Sequence, residues 1–302
     1  MKTLLRIALV LLALGLPAWY ALVQYSPPPN HDYALDLPRI RALAQSLPGD
    51  KPTELRYEHV MDFRFAEAMV MAGAPWRWTP IPVMAWQLVY PDKTVIVDTA
   101  MNRELAKPDF LVPMYDDTAY AHLQAAMEKA SLIVLTHEHM DHIGGLAAHP
   151  HLTQLLPALR LTDEQLDNPK GMAPAALPAA AMQGYQPLRY DGMMALAPGV
   201  VLIKSPGHTP GSQIVYVQRA DGRELLLLGD VSWQMRNIEQ VRERPLFMTA
   251  MIGENRQQVL GEFAALHALT QSAPEVKLVP GHDGDTVRAL TAQGLMTPGF
   301  KL

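Results

Sequence analysis

The densest group of chemically active side chains is the run His137-Glu138-His139-Met140-Asp141-His142, which Gly144-Gly145 follows closely. His137 and His139 are two residues apart, so their side chains point the same way in extended backbone. Imidazole and carboxylate donors at this spacing suit a borderline divalent cation such as zinc. Chance rarely places three histidines and an aspartate so close together in a chain with 11 histidines. The run therefore predicts a metal site.

Three further donors stand beside glycine, each directly after an apolar run. His208 lies in Pro206–Ser212, Asp230 follows Gly229, and His282 follows Gly281. A donor at the end of a rigid strand, beside a glycine that permits a tight turn, suits a precise metal site. Each piece alone is a weak signal, but their order along the chain indicates one shared site.

Strands must therefore position these donors, and the apolar runs before them are predicted to be strands. They are 132–135, 200–204, 224–228 and 276–279, with another strand at 214–218. A hairpin is predicted for 83–90 and 94–98 around the turn Pro91-Asp92-Lys93. Helical spacing of apolar residues predicts helices at 38–47, 118–130 and 255–268. The Ala-, Pro- and Met-rich stretch 171–184 is predicted to be a long connection or lid.

Together with Val97-Asp98-Thr99, these pieces resemble the metallo-β-lactamase superfamily over residues 56–302. The resemblance implies an α/β fold, a four-layer αββα sandwich, here preceded by an N-terminal hydrophobic helix. It also implies two metal ions at one edge of the sandwich. His137, His139 and His208 would hold the first, Asp141, His142 and His282 the second, and Asp230 would bridge them. Asp98 would support the ligand loop by hydrogen bonds, as carboxylates commonly do for ligand histidines.

This ligand set predicts a hydrolase that attacks an ester-like bond, possibly in a lactone, with a hydroxide bridging two zinc ions. Iron, manganese and cobalt remain alternatives to zinc. The metals would lower the pKa of the bridging water towards about 7. Asp141 or Asp230 would relay the proton, and both are therefore predicted to be catalytic. The chain has no cysteine and no Gly-x-Ser-x-Gly elbow, so no side-chain nucleophile is expected.

Asp230 stands where true β-lactamases of this superfamily have cysteine or serine, which disfavours antibiotic hydrolysis. The closest likeness is to lactonases that open acylated homoserine lactones, through Pro82-Val83, Asp98–Met101 and Pro206–Gly211. Two positions depart from that branch: Ala100 replaces a glycine, and Trp233 stands where a tyrosine is common. We expect Trp233 only to shape an apolar pocket for an acyl chain, together with Trp76, Trp78 and Trp86.

Other functions on the same fold remain open. They are a glyoxalase II-like thioesterase, a β-lactam hydrolase, an iron-dependent sulfur dioxygenase, and a non-catalytic metal-binding protein of the cell envelope. The seven filled ligand positions argue against the last of these. The net charge of −5 and a pI near 6.1 predict a small-molecule substrate and no nucleic-acid partner. The oligomeric state is left open.

The N-terminus begins with Lys2 and Arg6, followed by the uncharged apolar run Ile7–Val23. This pattern predicts a signal anchor or a signal peptide over residues 1–26, with a buried helix as the other alternative. Residues 27–55 are expected to form a Pro-rich spacer and a short helix, and 56–302 the hydrolase domain. The protein is expected in the cell envelope, anchored in the inner membrane with its domain in the periplasm, or secreted to the periplasm.

Overall fold

A computed structural model describes residues 2–107 and 109–302 of the chain, and two β-sheets form its centre. The strands of the first sheet are β1 Glu54–Ala66, β2 Trp78–Val89, β3 Thr94–Val97, β4 Met114–Tyr115, β5 Leu132–Val134 and β11 Thr297–Pro298. Those of the second are β6 Met193–Ala197, β7 Val200–Lys204, β8 Gln213–Gln218, β9 Glu224–Gly229 and β10 Lys277–Pro280. The strand orders are β11-β1-β2-β3-β5, with β4 beside β1, and β10-β9-β8-β7-β6.

Helices cover the outer faces of both sheets. The helices of the described residues are α1 Lys2–Trp19, α2 Leu37–Ala44, α3 Glu67–Val70, α4 Asp117–Lys129, α5 Met140–Ala147, α6 Leu152–Leu155, α7 Asp163–Leu166, α8 Pro169–Met172, α9 Met235–Gln240, α10 Leu246–Ile252, α11 Arg256–Ser272 and α12 Gly284–Ala292. One outer core joins the first sheet to α4 and α5. Another joins the second sheet to α2 and α11. The predicted αββα sandwich is confirmed.

The two sheets bury a common core between their facing sides. Leu88 and Val97 of the first sheet meet Leu202, Val217 and Leu227 of the second, and all are nearly inaccessible to solvent. Each such side chain contributes about 1.5–3 kcal/mol of hydrophobic stabilisation. Every residue of β8 and β9 is buried, as expected for strands covered on both faces.

The sheet topology brings the ends of several strands to one edge. β9 and β10 are parallel, and β7 runs the same way because β8 is antiparallel to both of its neighbours. The loops after β7, β9 and β10 therefore leave the second sheet at the same edge. The chain after β5 joins them, since Gln213 N donates to Thr136 O at 2.8 Å. The strand ends thus place all the predicted donors together.

The predicted hairpin is confirmed by the pairing of Trp86 with Val97 and of Val89 with Thr94. The first predicted helix is observed as α2, and Asp36 caps it by accepting a hydrogen bond from Arg39 N at 3.0 Å. The sequence analysis did not identify α5, α9 or α10. Short helices of this kind carry little periodic signal, and long-range packing holds them in place.

The N-terminal apolar run is helical and mostly exposed. α1 continues through a π-helical turn at Tyr20–Gln24. The stretch Thr3–Gln24 has 22 residues with a mean hydropathy of 2.0, and only 6% of its most apolar window is buried. By length and composition it could cross a membrane. It is not a buried core helix, which was one alternative.

The segment between this helix and α2 lies against the domain. Asn30 N donates to Gln257 Oε1 at 3.0 Å, and Tyr33 Oη donates to Lys204 O at 2.8 Å. Gly261 in α11 makes this contact possible, because a Cβ there would lie 2.3 Å from His31 O. Residues 30–33, directly after the three prolines, therefore contact α11 and the end of β7.

Candidate functional site

The seven predicted donors converge at the common edge of the two sheets. Their nitrogen and carboxylate atoms form two groups, and within each group the atoms lie within 4.8 Å of one another. The first group is His137, His139, His208 and Asp230, and the second is Asp141, His142, Asp230 and His282. Asp230 is shared, and its side chain is only 3% exposed.

The two carboxylate oxygens of Asp230 face different groups. Oδ2 lies 3.9 Å from His137 Nε2 and 3.5 Å from His208 Nε2. Oδ1 lies 3.3 Å from His142 Nε2 and 3.0 Å from His282 Nε2. Gly281 leaves room for this arrangement, because a Cβ at that position would lie 2.5 Å from Asp230 Oδ1. One carboxylate is thus placed to serve both groups.

Asp98 supports one histidine of each group, His142 by a direct contact and His137 through Thr136. Its Oδ2 accepts hydrogen bonds from His142 Nδ1 at 3.0 Å and from Thr136 Oγ1 at 2.8 Å. Thr136 Oγ1 lies 3.2 Å from His137 Nδ1. Because the threonine hydroxyl already donates its hydrogen bond to Asp98, its oxygen accepts a hydrogen bond from that nitrogen. Both contacts favour a proton on Nδ1, and they turn Nε2 of each imidazole towards Asp230. This is the supporting role expected for Asp98.

A second buried carboxylate, Glu254, orients His208. Its Oε1 lies 2.6 Å from His208 Nδ1, and its side chain is fully enclosed. Arg244 pairs with Glu254 and also donates to Asp230 O at 3.1 Å. The sequence analysis did not identify either residue. Both lie in the stretch 241–255, which contains no recognisable motif. The adjacent charged residues in this otherwise apolar stretch were a weak signal of a buried ion pair.

The environment of the donor atoms fits divalent cations. His137 Nε2, His142 Nε2 and Asp230 Oδ1 are buried and have no hydrogen-bond partner, and leaving such atoms unsatisfied is energetically costly. His208 Nε2 also lies 2.9 Å from His139 Nδ1, and two nitrogen lone pairs at that distance repel unless a proton or cation lies between them. A cation in each group would satisfy these atoms together.

The electrostatics distinguish the two groups. Burial, reinforced by the neighbouring imidazoles, lowers the pKa of His137 well below its ordinary value, and burial lowers the pKa of His139 to about 4. Burial also opposes the charged form of His142, but Asp98 and the other carboxylates raise its pKa well above normal. For Asp230, burial favours protonation, but the imidazoles of His282 and His142 hold its pKa well below normal. His137 and His139 thus offer neutral imidazoles, the form that binds metals.

Trp233 does more than shape a pocket. Its indole Nε1 donates to Asp230 Oδ2 at 2.6 Å, and its ring lies 5.8 Å from the His282 ring. The guanidinium of Arg244 lies over the Trp233 ring, 4.8 Å from its centre. The expectation that Trp233 acts only as a wall is therefore corrected, because the indole fixes one oxygen of the shared carboxylate.

A cleft of about 620 Å³ opens above the site, and five of the seven donors line it: His139, Asp141, His208, Asp230 and His282. Apolar side chains line much of it, among them Phe63, Ile81 and Met248, and Asn168 and Lys170 add polar atoms. These two residues lie just before the predicted lid 171–184, and Gly171 and Ala173 at the start of that stretch also line the cleft.

Of the four tryptophans expected in a pocket, the structure brings Trp233 to the cleft and not the other three. Trp86 is 3% exposed and packs between the sheets, because its position on β2 faces the second sheet. Trp76 and Trp78 lie at the β1–β2 end of the first sheet, 60% and 58% exposed. Sequence spacing alone could not distinguish these three environments.

Comparisons with known proteins agree with this geometry. A sequence model of the metallo-beta-lactamase superfamily matches residues 78–282. An N-acyl homoserine lactonase of Bacillus thuringiensis is 25% identical over 183 residues, which are 56% of this chain and 71% of that protein.

Two solved structures share the fold. A quorum-quenching N-acyl homoserine lactone lactonase aligns with a TM-score of 0.61 and 18% identity over 79% of this chain and 95% of its own. A dizinc quorum-quenching lactonase aligns with a TM-score of 0.51 and 16% identity over 78% of this chain and 89% of its own. Since the family match covers more than half of the chain and ends at the last donor, the chain belongs to the metallo-beta-lactamase superfamily and is a metallo-hydrolase of that fold.

Proposed function

We propose that this protein is a dinuclear zinc hydrolase that opens the ester bond of an acylated lactone or a similar acyl ester. The observation that carries the proposal is the shared carboxylate of Asp230, with one oxygen facing each group of donors. His137, His139 and His208 would hold one ion, and Asp141, His142 and His282 the other. The donor set, all imidazole and carboxylate, suits zinc, as in the dizinc lactonase that shares this fold.

Two divalent ions in such a site lower the pKa of bound water and polarise the scissile bond. The chain's own residues hold the reacting groups in place. Asp98 and Glu254 fix two imidazoles, and Trp233 fixes Asp230 Oδ2. Preorganised donors of this kind lower the reorganisation needed during reaction.

We assign proton transfer to Asp141 in preference to Asp230. Asp230 Oδ2 accepts a hydrogen bond from the Trp233 indole, and Oδ1 is buried between His142 and His282. Asp141 lines the cleft and its side chain is 14% exposed. Its carboxylate therefore reaches the substrate side, where a leaving alkoxide must collect a proton.

The cleft supports an acyl substrate. Its apolar lining from β1, β2 and α10 matches an aliphatic chain, while the donors lie at its floor. The lactonase of Bacillus thuringiensis named above acts, by its name, on N-acyl homoserine lactones. Such a compound has a polar ring that would face the donors and an acyl chain that would lie along the apolar wall. A thioester is the second candidate, since the same wall would accept its acyl group.

We also propose that the chain is tethered to the inner membrane with its domain in the periplasm. Lys2 and Arg6 lie at the N-terminal end of the apolar helix, before the uncharged run Ile7–Val23, and basic residues are retained on the cytoplasmic side. Detection of the full-length chain in the membrane fraction, with the domain open to an external protease in spheroplasts, tests this orientation.

The proposed reaction is tested by substrate profiling of the zinc-loaded full-length chain in detergent. The panel is acyl lactones of increasing chain length, thioesters, phosphodiesters and a chromogenic β-lactam. We expect the highest kcat/KM for a medium- or long-chain acyl lactone or ester. Turnover confined to the phosphodiester or the β-lactam would contradict the proposal.

A further inference from the structure

Helix α10 stands between the cleft and the N-terminal apolar helix. Met248, Met251 and Ile252 on this helix line the cleft. The same helix contacts the turn Tyr20–Gln24, where the apolar helix ends. One wall of the cleft is therefore also the support for the end of the candidate membrane span.

Three backbone oxygens at the end of the apolar helix are bound by the domain. Val23 O accepts from Gly73 N at 3.0 Å. Gln24 O accepts from Arg242 Nη2 at 2.7 Å, and Tyr25 O from Arg256 Nη2 at 3.4 Å. Because the following segment is also docked on α11, the helix has no loose linker, and its exit point on the domain is fixed.

Large apolar side chains are exposed around this exit point. Trp76 stands three residues beyond Gly73, and Trp78 follows it, with exposures of 60% and 58%. Met251 on α10 is 67% exposed. The guanidinium of Arg64 lies 5.2 Å from the centre of the Trp78 ring. Exposed tryptophan beside arginine, next to a candidate span, is typical of the interfacial zone of a membrane.

From these observations we infer that Trp76, Trp78 and Met251 form a membrane face that rests in the headgroup region beside the span. The partner of this surface is the lipid bilayer. The apolar helix enters the bilayer beside these side chains, and no flexible linker separates the helix from the domain. The mouth of the cleft, bordered by Met251, then lies at the bilayer surface. Resting on the proposed acyl hydrolysis, this geometry assigns the substrate to amphiphilic acyl compounds that partition into membranes.

Contact with the bilayer can be measured without any activity assay. The chain has no cysteine, so Trp78→Cys and Met251→Cys each give a single labelling site in the full-length protein. Asp221→Cys is the matched control, since it is exposed in the turn before β9, at the end of that strand opposite Asp230. The variants are labelled with an environment-sensitive fluorophore and reconstituted into vesicles of phosphatidylglycerol and phosphatidylethanolamine with or without brominated acyl chains.

We expect brominated lipid to reduce emission at positions 78 and 251 by about twofold and to leave position 221 unchanged. Unchanged emission at positions 78 and 251 would overturn the membrane face, whatever the enzyme hydrolyses. Equal quenching at all three positions would also overturn it, because the domain would then have no fixed orientation.

Substrate entry is tested separately with the double variant Trp76→Ser/Trp78→Ser in the same vesicles. We expect KM for a long-chain acyl lactone or ester to rise about tenfold, with kcat and the KM for a short-chain, water-soluble analogue unchanged. An equal change for both substrates would overturn the entry route. Absence of any hydrolysis by the wild-type chain would contradict the proposed function and leave the quenching result to decide the membrane face.

Discussion

The seven donors and the cleft above them are built in different ways. The donors follow strands β5, β7, β9 and β10 at one sheet edge, and each imidazole of the second group has its Nδ1 bound by a carboxylate or a carbonyl oxygen. The cleft wall comes largely from helices of four and seven residues, α8 and α10, and from one end of β1 and β2. The donor geometry is therefore held by the whole sandwich, whereas the wall is held locally.

This difference separates two kinds of specificity. Substitutions beneath the donors should change metal affinity and turnover, because they release a fixed imidazole or carboxylate. Substitutions in the wall should change which acyl group is accepted while leaving metal binding intact. The predictions below test that separation, beginning with the largest expected effect.

Asp98→Asn should weaken metal binding about 10–100-fold. The amide cannot accept both of the hydrogen bonds that Asp98 Oδ2 now takes from His142 and Thr136 as strongly as a carboxylate does. The measurement is zinc affinity by competition with a chelating dye. Glu224→Gln is the control, because it also removes the charge of a buried carboxylate, which pairs with the partly exposed Arg41 at the far end of β9. Equal effects of the two variants would contradict a specific role for Asp98.

Trp233→Phe should lower kcat about tenfold, roughly 1.4 kcal/mol of transition-state stabilisation. The phenyl ring keeps the apolar surface but removes the hydrogen bond that positions Asp230 Oδ2. Trp86→Phe, in the core between the sheets, is the packing control and should leave kcat unchanged. A change in KM alone for Trp233→Phe would return the indole to the purely structural role first expected from the sequence.

Ile252→Ala should raise KM for long acyl chains a few-fold and leave kcat and zinc content unchanged. The residue lines the cleft from α10, is not one of the seven donors, and packs against the apolar cluster that includes Met248. Steady-state kinetics on short- and long-chain substrates provide the measurement. Loss of zinc from this variant would show that wall and donors are not separable.

Glu262→Gln should change the pH dependence of stability and not the activity. Burial raises the pKa of Glu262 to about 8 from its ordinary value of 4.5, and the side chain accepts from Gly207 N beneath His208. Between these values the folded chain binds more protons than the unfolded chain, so the free energy of unfolding falls as pH rises.

The wild-type contribution is thus fully present below pH 4.5 and is lost as pH rises through about 8. The neutral glutamine has no such titration, so the variant should gain about 2–4 kcal/mol relative to the wild type between pH 6 and 9. Denaturant unfolding across this range measures it. Parallel pH profiles for the two proteins would contradict the account.

Much of the donor set could be predicted from sequence because its signal is local. A run such as His137–His142 after an apolar strand, and single donors beside Gly229 and Gly281, carry their meaning within a few residues. The fold could be predicted for the same reason, because its strands are continuous apolar runs in the sequence. Ala100 shows the limit: the structure gives it a φ of +49°, which explains why glycine suits this position, but no pattern within this chain reveals that conformation.

The residues that could not be predicted depend on distant packing. Glu254 reaches His208 across 46 positions of sequence, and Trp86 faces the core only because β2 pairs with β1 in one register. The docking of residues 30–33 on α11 likewise rests on Gly261, whose role appears only when the two segments meet. Composition predicts a Pro-rich spacer before α2, but it carries no information about these contacts.

The measurement that tests the central claim most directly is the zinc content of the full-length chain and of Asp230→Asn, by elemental analysis after reconstitution and desalting. Asp230 serves both groups of donors, so the account predicts two zinc ions per wild-type chain. In the variant, both sites should weaken together, with circular dichroism and thermal unfolding confirming an intact fold. One zinc or none in the wild type, or loss of a single ion in the variant, would contradict a dinuclear site built around Asp230.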